Sequence, residues 1–131
     1  MTYTDRHINR LEFPDKWGLI LEDDVTWQVN FLSFLKERFG DQSKWMFLAC
    51  PAPSLVSYKD KEPSFILLDH DMPWGNGPEF MEQRLKFPTP VCAVSGIPAN
   101  NQRLMELGAS FTAKKGDWND LERFFVEFVD A

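Results

Sequence analysis

The chain has 131 residues, of which 44% are hydrophobic and 15% aromatic, so it can build one globular core but is too short for two. Twenty acidic residues against 14 basic ones give a formal charge of -6, which argues against nucleic acid or an anionic membrane as the main partner. The acidic excess instead suits a pocket that holds a divalent cation.

The N-terminal segment 1–16 is polar and charged and lacks the pattern of a signal peptide. No apolar run approaches the ~20 residues needed to span a bilayer. We therefore expect a polar extension over 1–16, one domain over 17–131, and a cytoplasmic location. Cys50 and Cys92 lie within apolar runs, and both are predicted to be buried free thiols.

Apolar runs of strand length alternate with helical segments along the rest of the chain. In chain order, the predicted strands are 17–21, 45–49, 64–68, 90–94 and 110–113. The helices predicted after them are 25–39, 53–58, 78–85, 100–107 and 118–129. Gly40 and Gly108 mark helix ends, and Asp117 is predicted to cap the last helix. This alternation predicts an α/β domain with a doubly wound, five-stranded parallel sheet.

Side chains with useful chemistry follow four of the predicted strands. Glu22 and Asp23 follow the first strand, Asp69 the third, Ser95 the fourth and Lys114 the fifth. Because parallel strands place their carboxyl ends at one edge of the sheet, we expect these groups to converge in one crevice. Clustered carboxylates repel each other, and a hard cation such as Mg²⁺ (or Mn²⁺) would balance their charge through oxygen ligands.

This collection of groups suits an acyl-phosphate. Asp69 is the candidate nucleophile, because a metal, a hydroxyl and an ammonium group would surround it. Lys114 would neutralise phosphoryl oxygens, and the Ser95 hydroxyl would donate a hydrogen bond to one of them.

Four short pieces of sequence at the strand ends form an ordered pattern. They are LEDD at 21–24, LLDHDMP at 67–73 followed by Gly77, PVCAVSG at 90–96, and GASFTAK at 108–114. In this order they resemble the receiver domain of two-component response regulators, over about residues 17–129. The resemblance implies the flavodoxin-like (βα)5 fold with strand order 2-1-3-4-5. It also implies a phosphoacceptor rather than an enzyme, of the stand-alone, chemotaxis-regulator type.

The resemblance further implies Mg²⁺-dependent phosphorylation of Asp69 by a phosphohistidine donor, and it gives each matched residue a role. The implied metal ligands are Glu22, Asp23, Asp69 and the backbone carbonyl of Asp71. The implied switch residues are Ser95 and Phe111, the latter an aromatic that swings inward on activation. Gly96 and Trp74 would form the rim of the pocket, with Gly96 leaving room for the phosphoryl group.

The sequence departs from the family pattern at two places. A Lys114-Lys115 pair stands where the family has Lys-Pro with a cis peptide. Lys115 could in principle replace Lys114, but the spacing from Phe111 favours Lys114. The segment 96–108 is short for the family, so the helix within it is expected to be truncated.

The helix at 25–39 carries two apolar stripes, although a surface helix needs only one. By the resemblance, the aromatic stripe faces the sheet: Trp27, Phe31 and Phe34. The other stripe would face outward: Val25, Val29, Leu32 and Phe39. We expect the outward face to bind a histidine kinase, a histidine phosphotransfer bundle or a second copy of the chain. The alternative is that the N-terminal tail covers it.

Two other functions compete with the relay. Asp69-His70-Asp71 is also the DxD sequence of haloacid-dehalogenase-like phosphatases, but their second acidic cluster lies downstream of the lysine, whereas Glu22 and Asp23 lie upstream of Asp69. A pseudo-receiver that binds partners without phosphate turnover is the second alternative. The intact set of five site residues argues against it, whereas the Lys115 substitution and the short fourth helix favour it mildly.

Overall fold

The computed structural model describes residues 14–40, 44–51, 62–70, 77–84 and 89–130. The predicted helix at 53–58, Asp71, Trp74 and residues 1–13 of the polar extension lie outside these residues. The strands are β1 (Lys16–Leu21), β2 (Trp45–Cys50), β3 (Phe65–Leu68), β4 (Val91–Ser95) and β5 (Phe111–Lys114). The helices are α1 (Val25–Phe39), α2 (Gly77–Arg84), α3 (Pro98–Glu106) and α4 (Trp118–Phe124), and α4 continues as a π-helical segment (Phe125–Val129).

The five strands form one parallel sheet with the order β2-β1-β3-β4-β5. Leu21 of β1 pairs with Leu68 of β3, and Ser95 of β4 pairs with Lys114 of β5, so the carboxyl ends of these strands lie at one edge. The predicted doubly wound sheet and its strand order are confirmed.

Each face of the sheet carries its own hydrophobic core, because successive strand residues point to opposite faces. One core contains Leu21, Leu68 and Ala93 with residues of α2 and α3, and we call this side the α2/α3 face. The other core contains Ile20 and Ala113 with residues of α1 and α4, and we call it the α1/α4 face. Every strand side chain near the carboxyl edge therefore belongs to one face or the other according to its place in the alternation.

Aromatic rings dominate the α1/α4 face. Phe65 is fully buried, its ring lies 4.9 Å from that of Phe125, and it fills the space beside Gly18. A Cβ atom at Gly18 would come within 2.2 Å of the Phe65 ring, so this position admits only glycine while the ring stays in place. The absence of a side chain in β1 thus makes room for the large ring in β3.

The last helix differs from its prediction in its second half. Phe124 and Phe125 are adjacent in sequence and both are fully buried. The chain widens here into π-helix, and the Asp130 N–H donates to the Phe125 carbonyl at 2.8 Å. The Arg38 guanidinium near the end of α1 binds Glu122 and Asp130 at 2.5 and 2.7 Å, which ties the two helices together.

The outward stripe of α1 is smaller than predicted. Val25 and Val29 are exposed, at 70% and 56%. Leu32 and Phe39, however, are half-buried and pack against the α1/α4 core, with the Phe39 ring 4.5 Å from that of Trp45. The prediction that all four residues face outward is therefore wrong for Leu32 and Phe39. The second half of α1 leans on the β2 edge of the sheet, which brings its residues into contact with that strand.

Two smaller predictions concern the thiols and the membrane. Cys50 and Cys92 are buried free thiols, as predicted. Within the described residues, no helix has both the length and the apolar character needed to traverse a bilayer.

Candidate phosphoryl-transfer site

Three carboxylates meet at the carboxyl edge of the sheet. Oxygen atoms of Glu22, Asp23 and Asp69 lie within 4.8 Å of one another. Glu22 is the first residue after β1, and Asp69 is the first residue after β3. The Glu22 N–H still donates to the Cys50 carbonyl at 3.1 Å, and the Asp69 N–H donates to the Leu21 carbonyl at 3.0 Å. The rigid centre of the sheet therefore sets the positions of both carboxylates.

Two of these carboxylates are withdrawn from solvent. Glu22 is fully buried and Asp69 is 8% exposed, whereas Asp23 is more accessible. Burial, aided by the Asp69 charge, raises the pKa of Glu22 to about 7, and burial also raises the pKa of Asp69. Backbone N–H groups offset only part of this cost: Asp24 donates to Glu22 Oε2 at 3.2 Å and His70 donates to Asp69 Oδ1 at 2.9 Å. Among the described residues, the cluster therefore has more negative than positive groups, three carboxylates against one ammonium.

Within the part of the chain that the structure describes, Lys115 is the cation that pairs with the cluster. Its Nζ forms an ion pair with Glu22 Oε1 and lies 3.5 Å from Asp69 Oδ1, and its side chain is only 14% exposed. Lys114, by contrast, is exposed. The expectation that the Lys114 ammonium joins the carboxylates is corrected: the structure brings Lys115 to them instead.

The alternation of side chains along β5 explains this difference. Ala113 is buried in the core of the α1/α4 face, so Lys114 points to the opposite face and Lys115 returns to the α1/α4 side. The same alternation in β1 and β3 puts Glu22 and Asp69 on the α1/α4 side, because Ile20 and Leu67 belong to its core. The described residues contain no cis peptide bond, so the bond between Lys114 and Lys115 is trans and the alternation continues through it.

Ser95 lies at the end of β4, beside the strand that carries Asp69, and is 5% exposed. Its Oγ accepts a hydrogen bond from the Ile97 N–H at 3.1 Å. Its carbonyl accepts from the Lys115 N–H at 3.1 Å and from Asn101 Nδ2 at 3.2 Å, and the same Nδ2 also donates to the Ala113 carbonyl at 3.2 Å. Asn101 thus joins the ends of β4 and β5. Sequence reasoning missed it, because an asparagine early in a helix carries no signal of such a contact.

Two further predicted site residues lie within the described part of the chain. Phe111 of β5 is half-buried, with its ring 6.1 Å from Phe124 and 5.9 Å from Phe128. Gly96 is exposed, and a Cβ atom placed on it would meet nothing within 4 Å, so there is open space beside it. The backbone carbonyl of Asp71 and the side chain of Trp74 lie outside the described residues.

The residues present fit a magnesium ion. All three carboxylates supply the hard oxygen ligands that Mg²⁺ prefers. Counted over the described residues alone, the three carboxylates and the Lys115 ammonium carry a formal charge of -2, which a divalent cation would cancel. Burial is the main cause of the raised pKa of Glu22 and the Asp69 charge adds to it, so a cation bound at these oxygens would favour the ionised form of Glu22.

Comparisons with known proteins give a match in structure but not in sequence. No protein-family model matches the chain, and no curated protein matches it. Solved receiver domains do match in structure, over most of the chain.

One similar structure is the receiver domain of a sensor histidine kinase from Pseudomonas aeruginosa PAO1, which has a magnesium ion coordinated in its active-site cleft. It is 15% identical, the TM-score is 0.72, and the match covers 88% of this chain and 98% of that one. The signal receiver domain of a DNA-binding response regulator from Colwellia psychrerythraea 34H is 22% identical, with a TM-score of 0.72 and coverage of 92% and 100%. That of a signal transduction histidine kinase from Syntrophus aciditrophicus is 21% identical, with a TM-score of 0.62 and coverage of 88% and 93%. At these identities the likeness establishes a shared fold.

Proposed function

Because the chain has the fold of response regulator receiver domains, we propose that it is a phosphoacceptor of a two-component phosphorelay. Asp69 would take a phosphoryl group from a phosphohistidine donor in the presence of Mg²⁺. The observation that carries the proposal is the environment of Asp69: Glu22 and Asp23 within metal-sharing distance and the Lys115 ammonium 3.5 Å away. The proposal includes a cytoplasmic location, and it makes the chain a signalling domain rather than an enzyme with turnover.

The proposed phosphoryl transfer is a single displacement at phosphorus. An Asp69 carboxylate oxygen attacks the phosphorus, an O–P bond forms, and the P–N bond breaks with its electron pair left on the imidazole nitrogen of the donor. The Lys115 ammonium offsets the charge on the phosphoryl oxygens, and the Ser95 hydroxyl, once turned toward the site, donates to one of them. Bound Mg²⁺, held by Glu22, Asp23 and Asp69, would supply further charge compensation.

Phosphorylation would change the charge at the switch. A phosphoryl group adds up to about two negative charges and strong acceptor oxygens. Ser95 lies beside the strand that carries Asp69, and Phe111 lies two residues before Ala113 in β5. On phosphorylation, Ser95 would turn toward the phosphoryl oxygens and the half-buried Phe111 ring would move inward. The surface of β5 and the last helix would carry the signal.

The phosphodonor would dock on the exposed start of α1. Val25 and Val29 project from the first two turns of the helix, and its N-cap residue, Asp24, directly follows Asp23 of the cluster. A donor histidine must bring its phosphorus into bonding distance of Asp69, so its helical bundle has to cover the surface next to that cluster. An apolar patch at this place suits a histidine kinase or a histidine phosphotransfer bundle.

Experiments can distinguish binding of the phosphodonor protein from the phosphoryl transfer to Asp69. With a phosphorylated histidine donor, Val29→Glu should slow transfer to Asp69, while the rate with acetyl phosphate should stay unchanged because that donor needs no docking. Val126→Glu is the matched control, since Val126 is equally exposed, at 59%, but lies in the π-helical segment. Equal effects of both variants would remove the docking proposal. A change of size in solution with Val29→Glu would assign the patch to a homodimer.

The decisive experiment for the function is direct. The protein is mixed with Mg²⁺ and acetyl phosphate or phosphoramidate, and its intact mass is followed over time. A labile phosphoryl adduct that is absent in Asp69→Asn supports the relay. Rapid repeated hydrolysis of a phosphomonoester would instead identify a phosphatase. No adduct at all would identify a pseudo-receiver, in which Lys115 locks the carboxylates.

A further inference from the structure

The ammonium group beside Asp69 has a second partner besides the carboxylates. Lys115 Nζ lies 5.3 Å from the centroid of the Trp27 ring, within the range of a cation–π interaction. Trp27 belongs to the first turn of α1, directly after the acidic residues of the cluster. The site lysine therefore has two buried carboxylates and an indole ring as partners.

The Trp27 ring is itself held in place by several contacts. It packs at 5.8 Å from the Phe31 ring and 6.4 Å from the Trp118 ring. Its backbone N–H is bound by the Asp24 side chain at 3.1 Å, which fixes the start of the helix. Gly116 lies against the ring, because a Cβ atom there would be 3.4 Å from Trp27 Cη2, and its φ of +92° suits glycine. The indole therefore forms a rigid surface for the lysine.

The two kinds of partner respond differently when a metal enters. The three carboxylates attract the ammonium, and Mg²⁺ bound to the same oxygens would weaken that attraction, because it would leave one net negative charge where there were three. A lysine side chain has many rotamers, so a weaker attraction would hold its ammonium less firmly in one position. The indole is neutral, and its attraction for the ammonium does not depend on the charge of the carboxylates.

We propose that Trp27 is a positioning residue, which holds the Lys115 ammonium beside Asp69 when the metal and the phosphoryl group are bound. This inference rests on the proposed phosphoacceptor function and adds a residue that acts on the reaction through Lys115. It also explains how a lysine one position later than the family spacing can occupy the site. The alternation of side chains along β5 brings Lys115 to the α1/α4 face, where its ammonium contacts the Trp27 ring.

The test is a double-mutant cycle on phosphorylation by acetyl phosphate. Trp27→Leu keeps apolar bulk and removes the π surface, and it should slow the reaction about threefold to tenfold. In a Lys115→Met background the same change should have no further effect. Trp27→Phe, which keeps a π surface, should restore most of the rate. Phe34→Leu is the control for packing, since Phe34 stacks on Trp118 at 5.0 Å. Equal slowing by Trp27→Leu with and without Lys115 would overturn the proposal.

An NMR measurement separates this inference from the proposed function. The ε-methylene protons of Lys115 should be shifted upfield by the Trp27 ring, and the shift should persist as Mg²⁺ is added to saturation. Loss of the shift on Mg²⁺ binding would show that only the carboxylates hold the lysine, which refutes the positioning role. The readout needs only the wild-type protein, so it decides even if Trp27→Leu fails to fold. Failure of the wild type to take up phosphate would refute the function alone.

Discussion

Removal of the Lys115 ammonium tests which lysine serves Asp69. Lys115→Met keeps the length and apolar stem of the side chain and deletes its charge. At the 3.5 Å separation from Asp69 Oδ1, and at an effective dielectric constant of about 20, one ammonium and one carboxylate attract each other by about 5 kcal/mol before desolvation is counted. We expect about 3 kcal/mol of charge stabilisation to be lost in the transition state, because the phosphoryl oxygens take over the contact. That loss corresponds to a rate reduction of about 100-fold.

The assay is the initial rate of phosphoryl incorporation from acetyl phosphate at saturating Mg²⁺, followed by intact mass. Lys114→Met is the matched control, because Lys114 is exposed and lies on the opposite face of β5. Its rate should stay within about twofold of the wild type, since exposed charges are weakly coupled to the site. A large loss in Lys114→Met together with a normal rate in Lys115→Met would refute the assignment from strand alternation.

Three further predictions concern stability. Without metal, the free energy of unfolding should fall by up to about 3 kcal/mol as the pH rises from about 4.5 to 7. The reason is that the pKa of Glu22 is raised to about 7 in the folded protein, which therefore binds more protons than the unfolded chain in this pH range. Urea titrations across this range should show a smaller dependence on pH for Glu22→Gln than for the wild type. Mg²⁺ at 100 times its Kd should stabilise the protein by about 2.7 kcal/mol, and Asp23→Asn should weaken this effect in thermal unfolding. Gly18→Ala should destabilise by about 1–3 kcal/mol because its Cβ would come within 2.2 Å of the buried Phe65 ring, whereas Gly96→Ala, which meets nothing within 4 Å, should change stability by less than about 0.5 kcal/mol in urea. A profile that rises with pH, an unaltered Mg²⁺ effect, or equal costs of the two alanines would each contradict the corresponding reasoning.

The buried aromatic residues give this receiver fold a particular form. Phe65 requires glycine at position 18, and the consecutive buried rings of Phe124 and Phe125 accompany a π-helical turn in the last helix. Trp27 belongs to the same group of rings and also reaches Lys115. The packing of the α1/α4 face and the electrostatics of the site therefore share a residue, so core substitutions near Trp27 are expected to affect both stability and phosphorylation.

The site could be predicted from sequence where strand ends alone decide it. Apolar runs followed by acids predicted that Glu22, Asp23 and Asp69 share one edge, and the structure brings their oxygens within 4.8 Å. The outward face of α1 was less predictable. Helical periodicity shows which residues share an apolar stripe, but it does not show which of them a neighbouring strand buries. Val25 and Val29 stay exposed, whereas Leu32 is half-buried against the core.

The sequence alone determined a five-stranded parallel sheet and the edge of that sheet at which the acidic residues lie. Both follow from the order of apolar runs and helices and from the acids that come directly after the strands. These features depend on local periodicity and on the rule that parallel strands end together. Tertiary structure alone decided between Lys114 and Lys115. The spacing of the two lysines from Phe111 differs by one residue, but a one-residue step reverses the face on which a strand side chain lies. Which face is the right one depends on Ala113 packing against α1 and α4, a contact between segments that are distant in sequence.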